Sequence, residues 1–297
     1  MATTKAMATT PKKSNEMALI NDFAIVDIYT GMTEEEKAEL KDQLDDFSEE
    51  QGLNYKVIKV PSGGQLAFAI PGDEEDDEDY EKEFEGVIIF THRMNGFWPN
   101  PMGSTDDKAP QCSSMDGKTG VDRFTGEMRS CETCPFNTFG SDPRGKGKAC
   151  KNMRRLYLIR SNDPNLYMLS VPPTSIRDVN RQLTKIMGSK GIPYTKLLIA
   201  LKLQKAQNAD GIAYSKVVLE KRGILPQEIA DQIVAMRNEI KTQYQQNAIT
   251  ADDYGAENAA PHDDAPLPDE PPAFTDIPPE DVPPVFTEAK QESLPIK

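Results

Sequence analysis

The sequence predicts a mainly β chain with α elements, an α+β core carrying a cysteine-bearing insertion between a small N-terminal element and an acidic tail. Three features point there. Five β-branched or aliphatic runs of six to ten residues recur between residues 86 and 220, two stretches at helical spacing interrupt and follow them, and all four cysteines fall in the gap between the first two runs. No apolar run approaches the ~18 residues that cross a bilayer, so a membrane-spanning protein is excluded.

Residues 1–16 lack periodicity and are expected to be disordered. Residues 17–72 form an N-terminal strand–helix–hairpin element. Phe23 to Thr30 reads as a short strand, and Thr33 caps a helix from Glu34 to Glu50, with Leu40, Leu44 and Phe47 at helical spacing. Asn54–Val60 and Gln65–Ile70, joined by Pro61-Ser62-Gly63-Gly64, read as the hairpin. Residues 73–85 continue an acidic run without apolar anchors and are expected to be a loop.

The core spans 86–247. Strands are expected at Gly86–His92, Arg154–Arg160 and Leu166–Val171, a helix from Thr174 to about Ser189, strands at Thr195–Gln204 and Ile212–Glu220, and a closing helix from Pro226 to Gln245. Three strands, a helix and two strands is the order of the OB-fold, a five-stranded barrel that grips oligonucleotides, although other small α+β folds share it. The insertion, residues 93–153, then lies in a loop flanking the ligand groove. Residues 248–297, rich in Pro, Asp, Glu and Ala, bury too little apolar surface to offset their ordering entropy and form a disordered acidic tail.

Charge is segregated along the chain. The formal net charge is −14, yet residues 32–85 carry −14, residues 110–222 carry +11 and residues 250–297 carry −10. A basic middle between acidic flanks suits a core that binds a polyanion for which its own flanks compete. The N-terminus lacks the pattern of a secretory signal, so a cytoplasmic protein is expected. With only His92 and His262, histidine-based catalysis has little material, and Asp116, Asp122, Glu127 and Asp142 are scattered without acid/base roles; no enzyme is expected.

Cys112, Cys131, Cys134 and Cys150 are spaced C-x18-C-x2-C-x15-C. A thiolate pair two residues apart wraps a metal on a tight knuckle, and two more complete a tetrahedral S4 site that suits structural Zn²⁺ and would stiffen an insertion too polar to build a core. An iron–sulfur cluster, a redox Cys131–Cys134 pair and disulfides remain alternatives for the same residues. Gly140 to Lys146 fits G-x-x-x-x-G-K, but Gly147 stands where Ser or Thr should hold Mg²⁺, so a flexible basic loop is the better reading.

Pro110-Gln111-Cys112-Ser113-Ser114, Cys131-Glu132-Thr133-Cys134-Pro135-Phe136-Asn137, Lys148-Ala149-Cys150-Lys151-Asn152 and Leu169-Ser170-Val171-Pro172-Pro173-Thr174-Ser175 resemble a little-characterised family of zinc-containing bacteriophage and mobile-element proteins. In architecture, the core, zinc and acidic tail are similar to phage single-stranded DNA-binding proteins, which implies a host-cell cytoplasmic setting.

Binding single strands takes cations for the backbone and aromatic faces for the bases. The candidates are Arg93, Trp98, Arg123, Arg129, Arg144, Lys146, Lys148, Lys151, Arg154, Arg155, Tyr157 and Tyr167, with core packing the alternative for Trp98, Tyr157 and Tyr167. In the tail, Phe274, Ile277 and Phe286 offer anchors for partner proteins. The expected function is therefore a non-enzymatic protein that coats and protects single-stranded DNA in phage replication or recombination. Replication or recombination proteins would be partners through the tail, and no small-molecule substrate is expected. The alternative is a zinc-stabilised adaptor that binds a replication or recombination protein.

Overall fold

The computed structural model describes residues 18–26, 32–48, 55–72, 77–99, 109–143, 145–207, 211, 213–246 and 248–250. Residues 1–16, the end of the expected strand at 27–30, Arg144, and the tail residues Phe274, Ile277 and Phe286 lie outside them. Among the described residues, no helix is long and apolar enough to cross a membrane.

The architecture is mixed α and β, dominated by strands. Helix α1 (Glu34–Ser48) starts at a capping box: the Thr33 amide donates to Glu36 Oε2 (2.7 Å), and the Glu36 amide donates back to Thr33 Oγ1 (3.3 Å). Strands β1 (Tyr55–Ile58), β2 (Phe68–Pro71) and β3 (Glu78–Glu81) precede the central strand β4 (Glu83–Phe97). Short strands β5 (Cys112–Ser114), β6 (Thr119–Asp122) and β7 (Met128–Ser130) follow. The remaining elements are β8 (Cys150–Ile159), β9 (Leu166–Val171), α2 (Pro173–Lys190), β10 (Leu197–Gln207), β11 (Ala213–Ile224) and α3 (Gln227–Gln243).

Strand β4 serves two arms of one sheet. Its first residues, Glu83–Val87, pair with β10, and Val87–Phe97 pair with β8. A bulge between Ile88 and Phe90 bends it where one neighbour gives way to the other. The five core strands stand in the order β9-β8-β4-β10-β11.

The expected barrel closure is absent, and the edges show why. The outer edge of β9 is taken by β1, which pairs with it in parallel, Tyr55 beside Leu166. On β11 the amides of Val217 and Leu219 donate to Ser175 Oγ (3.0 Å) and Gln182 Oε1 (2.8 Å) of α2. With those edge groups satisfied by a helix, β9 and β11 have no ladder left to form.

Other expectations shift for similar reasons. The hairpin at 54–70 closes only through the Lys59–Ala69 bridge, because β1 joins β9 while β2 joins β3. Part of the acidic run is a strand, not a loop, because its carboxylates are neutralised: Glu78 meets Lys59 (2.9 Å), and Glu81 grips Arg160 through two bonds (2.8 and 3.1 Å). Residues 23–26 are not a strand. The Ala24 amide donates to Ser161 Oγ, and Asn162 donates to the Ala24 carbonyl, so this backbone is spent on the β8–β9 turn. The insertion is shorter than 93–153, since β4 runs on to Phe97 and β8 starts at Cys150, and β5, β6 and β7 extend the same sheet.

Two apolar layers hold the sheet. One face packs Ile88, Leu156, Leu158, Leu169, Leu201 and Val217 under Val179 and Leu183 of α2. The other packs Val87, Ile89, Tyr157 and Leu198 under Ile233 and Ile240 of α3, with Phe23. Beyond α3 the chain returns across β4 and β8, where Ile249 packs with Met94, Trp98 and Met153. A side chain at Gly96 would put its Cβ 2.5 Å from the Trp98 ring, so the glycine is what lets the indole lie on the strand.

Candidate metal centre and nucleic-acid interface

The sheet register brings the cysteines together. Phe97 is the partner of both Cys112 on β5 and Cys150 on β8, which places these three side chains in one row on one face. Cys131 follows β7, its amide bonded to the Lys118 carbonyl (2.7 Å), and Cys134 opens a helical turn at Pro135–Asn137. Asn137 Nδ2 donates to the Cys131 carbonyl (2.7 Å), tying the knuckle shut, and Phe136 stacks on Phe97 with ring centroids 4.3 Å apart.

All four cysteines line one cleft whose free space is about 20 Å³, just above what one water-sized body needs. Gly120 keeps it open: a Cβ there would sit 2.9 Å from Cys112 Sγ and 3.6 Å from Cys131 Sγ. The four thiols are free of disulfides. Burial pushes the Cys150 thiol up to about 12, with the three neighbouring sulfurs adding to it, and burial likewise raises Cys112. Four thiolates crowded this way repel, so a cation is the species that could hold them ionised together. The donor chemistry and the glycine-lined space suit a soft tetrahedral metal. Among the described residues no group of three or more His, Cys, Asp or Glu side chains is arranged to hold a metal ion.

The cations divide into two populations. Away from the insertion several are paired: Lys202 meets Glu83 (3.2 Å) and Glu220 (2.9 Å), Arg222 meets Glu83 and Glu85, and Lys216 meets Asp178. Part of the positive charge of the middle block is thus neutralised within the fold. Arg93 and Arg154 differ. They are directly opposed across β4 and β8, and among the described residues neither meets a carboxylate. Arg154 Nη1 donates to Thr91 Oγ1 (3.2 Å), but its Nε and the nearby Asn152 Oδ1 are buried without a partner. Burial and then the Arg93 charge hold the Arg154 guanidinium below its usual value. Like charges set face to face on a sheet are destabilising unless an anion joins them.

Other sequence candidates are placed differently. Arg155 and Tyr157 have no exposed surface, Tyr167 has 4% and Trp98 has 8%, so these four belong to the core and present no free face to a base. Tyr167 donates to Asp163 (2.7 Å), and Arg155 donates to the Ala248 carbonyl (3.2 Å), fixing the returning chain. Lys151 is buried in an ion pair with Asp142 (3.0 Å) that anchors the loop after the knuckle. Arg129 pairs with Glu127 (3.0 Å) beside the cleft. Arg123 and Lys146 are exposed, and Lys148 is half-buried. Sequence reading passed over Phe124, which is 70% exposed. The available signal was its position, an aromatic inside a turn between Asp122 and Gly126, where no core can claim it.

His92 is also a core group. Its Nδ1 lies 3.0 Å from the Arg93 carbonyl and 2.8 Å from that of Met115, both acceptors, so Nδ1 carries the hydrogen. The ring packs against Phe90, Tyr157 and Tyr244. Burial, with the nearby Arg155 and Arg154 charges, lowers its pKa to about 4. Because the folded value is depressed, stability from this group is complete above the unfolded value of about 6.5 and is lost as pH falls from there toward 4, by about 3 kcal/mol in all. Urea midpoints should fall between pH 6.5 and 5 in the native chain, and His92→Phe should flatten that slope; an unchanged slope refutes the assignment.

No protein-family model, curated protein or solved structure matches this chain.

Proposed function

We propose that the chain is a non-enzymatic single-stranded DNA-binding protein, with an OB-like strand core, a zinc-stabilised insertion and an acidic tail that competes for the binding surface. The observation that carries this reading is the Arg93–Arg154 pair. It is a cross-strand couple of guanidiniums that, among the described residues, meets no carboxylate, beside a buried amide oxygen without a hydrogen-bond partner. Guanidiniums bind phosphate through parallel donors, and two of them opposed on adjacent strands would bridge a polynucleotide backbone. Zinc held by Cys112, Cys131, Cys134 and Cys150 would fix the insertion at the end of the same strands. Coating of exposed strands during phage replication or recombination is the setting that the sequence resemblance supports.

Fluorescence anisotropy with labelled oligo-dT tests the reading at two salt concentrations. Affinity should fall steeply with salt, and Arg93→Ala with Arg154→Gln should reduce the log–log slope by roughly 1.4, about 0.7 for each lost phosphate contact. The same double variant should unfold at no lower temperature than the parent, since it relieves a repulsion. Absence of oligonucleotide binding in dilute buffer, even with residues 251–297 removed, defeats the proposal.

A further inference from the structure

We infer that the insertion supplies the base-stacking platform, with Phe124 and Phe139 each presenting a ring face to an unpaired base; this rests on the single-strand reading above. Of the ten large apolar side chains that stand exposed among the described residues, five lie between residues 121 and 139: Val121, Phe124, Met128, Phe136 and Phe139. They share the insertion with the cysteine cleft.

Three of the chain's aromatics meet different fates here. Phe136 is already used, stacked on Phe97. Phe124 and Phe139 are 70% and 48% exposed, and each has a cation over its ring instead of a packing partner. The Arg123 guanidinium lies 4.5 Å from the Phe124 centroid, and the Lys148 ammonium lies 5.0 Å from that of Phe139. With a cation over one face, each exposed ring has its other face to offer a flat unsaturated base, while the cation meets the anionic phosphate joined to it.

Both rings stand on short, hydrogen-bonded turns. Asp122 Oδ1 accepts from the amides of Phe124 and Thr125 (3.0 and 3.1 Å), and the Gly126 amide closes back on the Asp122 carbonyl (2.8 Å). After Phe139, the Gly140 amide bonds the carbonyls of Lys146 and Gly147 (2.9 and 3.0 Å), and Thr138 Oγ1 bonds the Pro135 carbonyl (2.7 Å). Pre-ordered rings lose little entropy on stacking.

The test uses the full chain with oligo-dT and an abasic strand of equal length. Phe124→Ala and Phe139→Ala should each weaken oligo-dT binding on the order of 10-fold with the salt slope unchanged, because no phosphate contact is removed. The parent should prefer oligo-dT to the abasic strand, and the double variant should lose that preference. Phe124→Trp should restore affinity and show indole quenching on binding. Variants that bind oligo-dT as tightly as a parent with a steep salt dependence overturn this inference and leave the single-strand reading intact. A parent that binds neither strand overturns both, and the exposed rings would then belong to a protein surface.

Discussion

If the four cysteines hold zinc as proposed, chelation or Cys150→Ser is expected to release one zinc ion per chain and collapse the insertion while the larger sheet stays folded. The reason is a missing core. Among the described residues between Trp98 and Met153, the buried apolar side chains are Pro110, Cys131, Ala149 and Cys150 alone. Strands β5, β6 and β7 have three or four residues each and little burial to hold them. Structural zinc in comparable small elements contributes on the order of 10 kcal/mol, far more than those ladders can. Metal analysis should give a ratio of one, and a thiol reagent should modify four cysteines rapidly only after chelation. Melting of the β4–β8–β10 core should be little changed. A chain purified without metal whose insertion remains ordered would remove the zinc assignment.

Replacing Asp142 with alanine is expected to destabilise the protein by about 3–5 kcal/mol, because it strands a buried ammonium. Lys151 and Asp142 side chains are 4% and 6% exposed and 3.0 Å apart, and Lys151 Nζ donates also to the Lys148 carbonyl (2.9 Å). Removing both charges, with Lys151→Met beside Asp142→Leu, should recover much of the loss, since an apolar pair of similar volume avoids the desolvation cost. Urea unfolding reads both variants. Equal stability of Asp142→Ala and the parent would show the pair to be solvated in practice. The pair also changes how a Lys151 variant is to be read: weaker DNA binding would follow from a loosened loop, not from a lost phosphate contact.

Core strands and helices were legible from their apolar residues, an unbroken buried run at Leu197–Leu201 of β10 and recurrence at helical spacing in α2. What decides closure was not. Ser175 and Gln182 look like ordinary helix residues until they accept the edge amides of β11. Likewise Glu78 and Glu81 defeat a pattern rule for strands, since their partners Lys59 and Arg160 are distant in sequence. At the site, clustering of four cysteines was visible from spacing, and the paired Arg93 and Arg154 were named. Their opposition depends on strand register, which composition does not encode. Trp98 and Tyr157 were ambiguous because an aromatic next to basic residues looks alike whether it faces a base or a core.

The parallel seam between β1 and β9 sets a schedule for the growing polypeptide. Residue 55 sits beside residue 166, so the first sheet strand leaves the ribosome with no template and stays unmatched while more than a hundred further residues are translated. At an elongation rate of about 5–20 residues per second that delay is roughly 5–20 s, during which Tyr55, Val57 and Ile58 stay uncovered. A nascent chain stalled before residue 166 should therefore engage holdase chaperones, and one released after residue 224 should not.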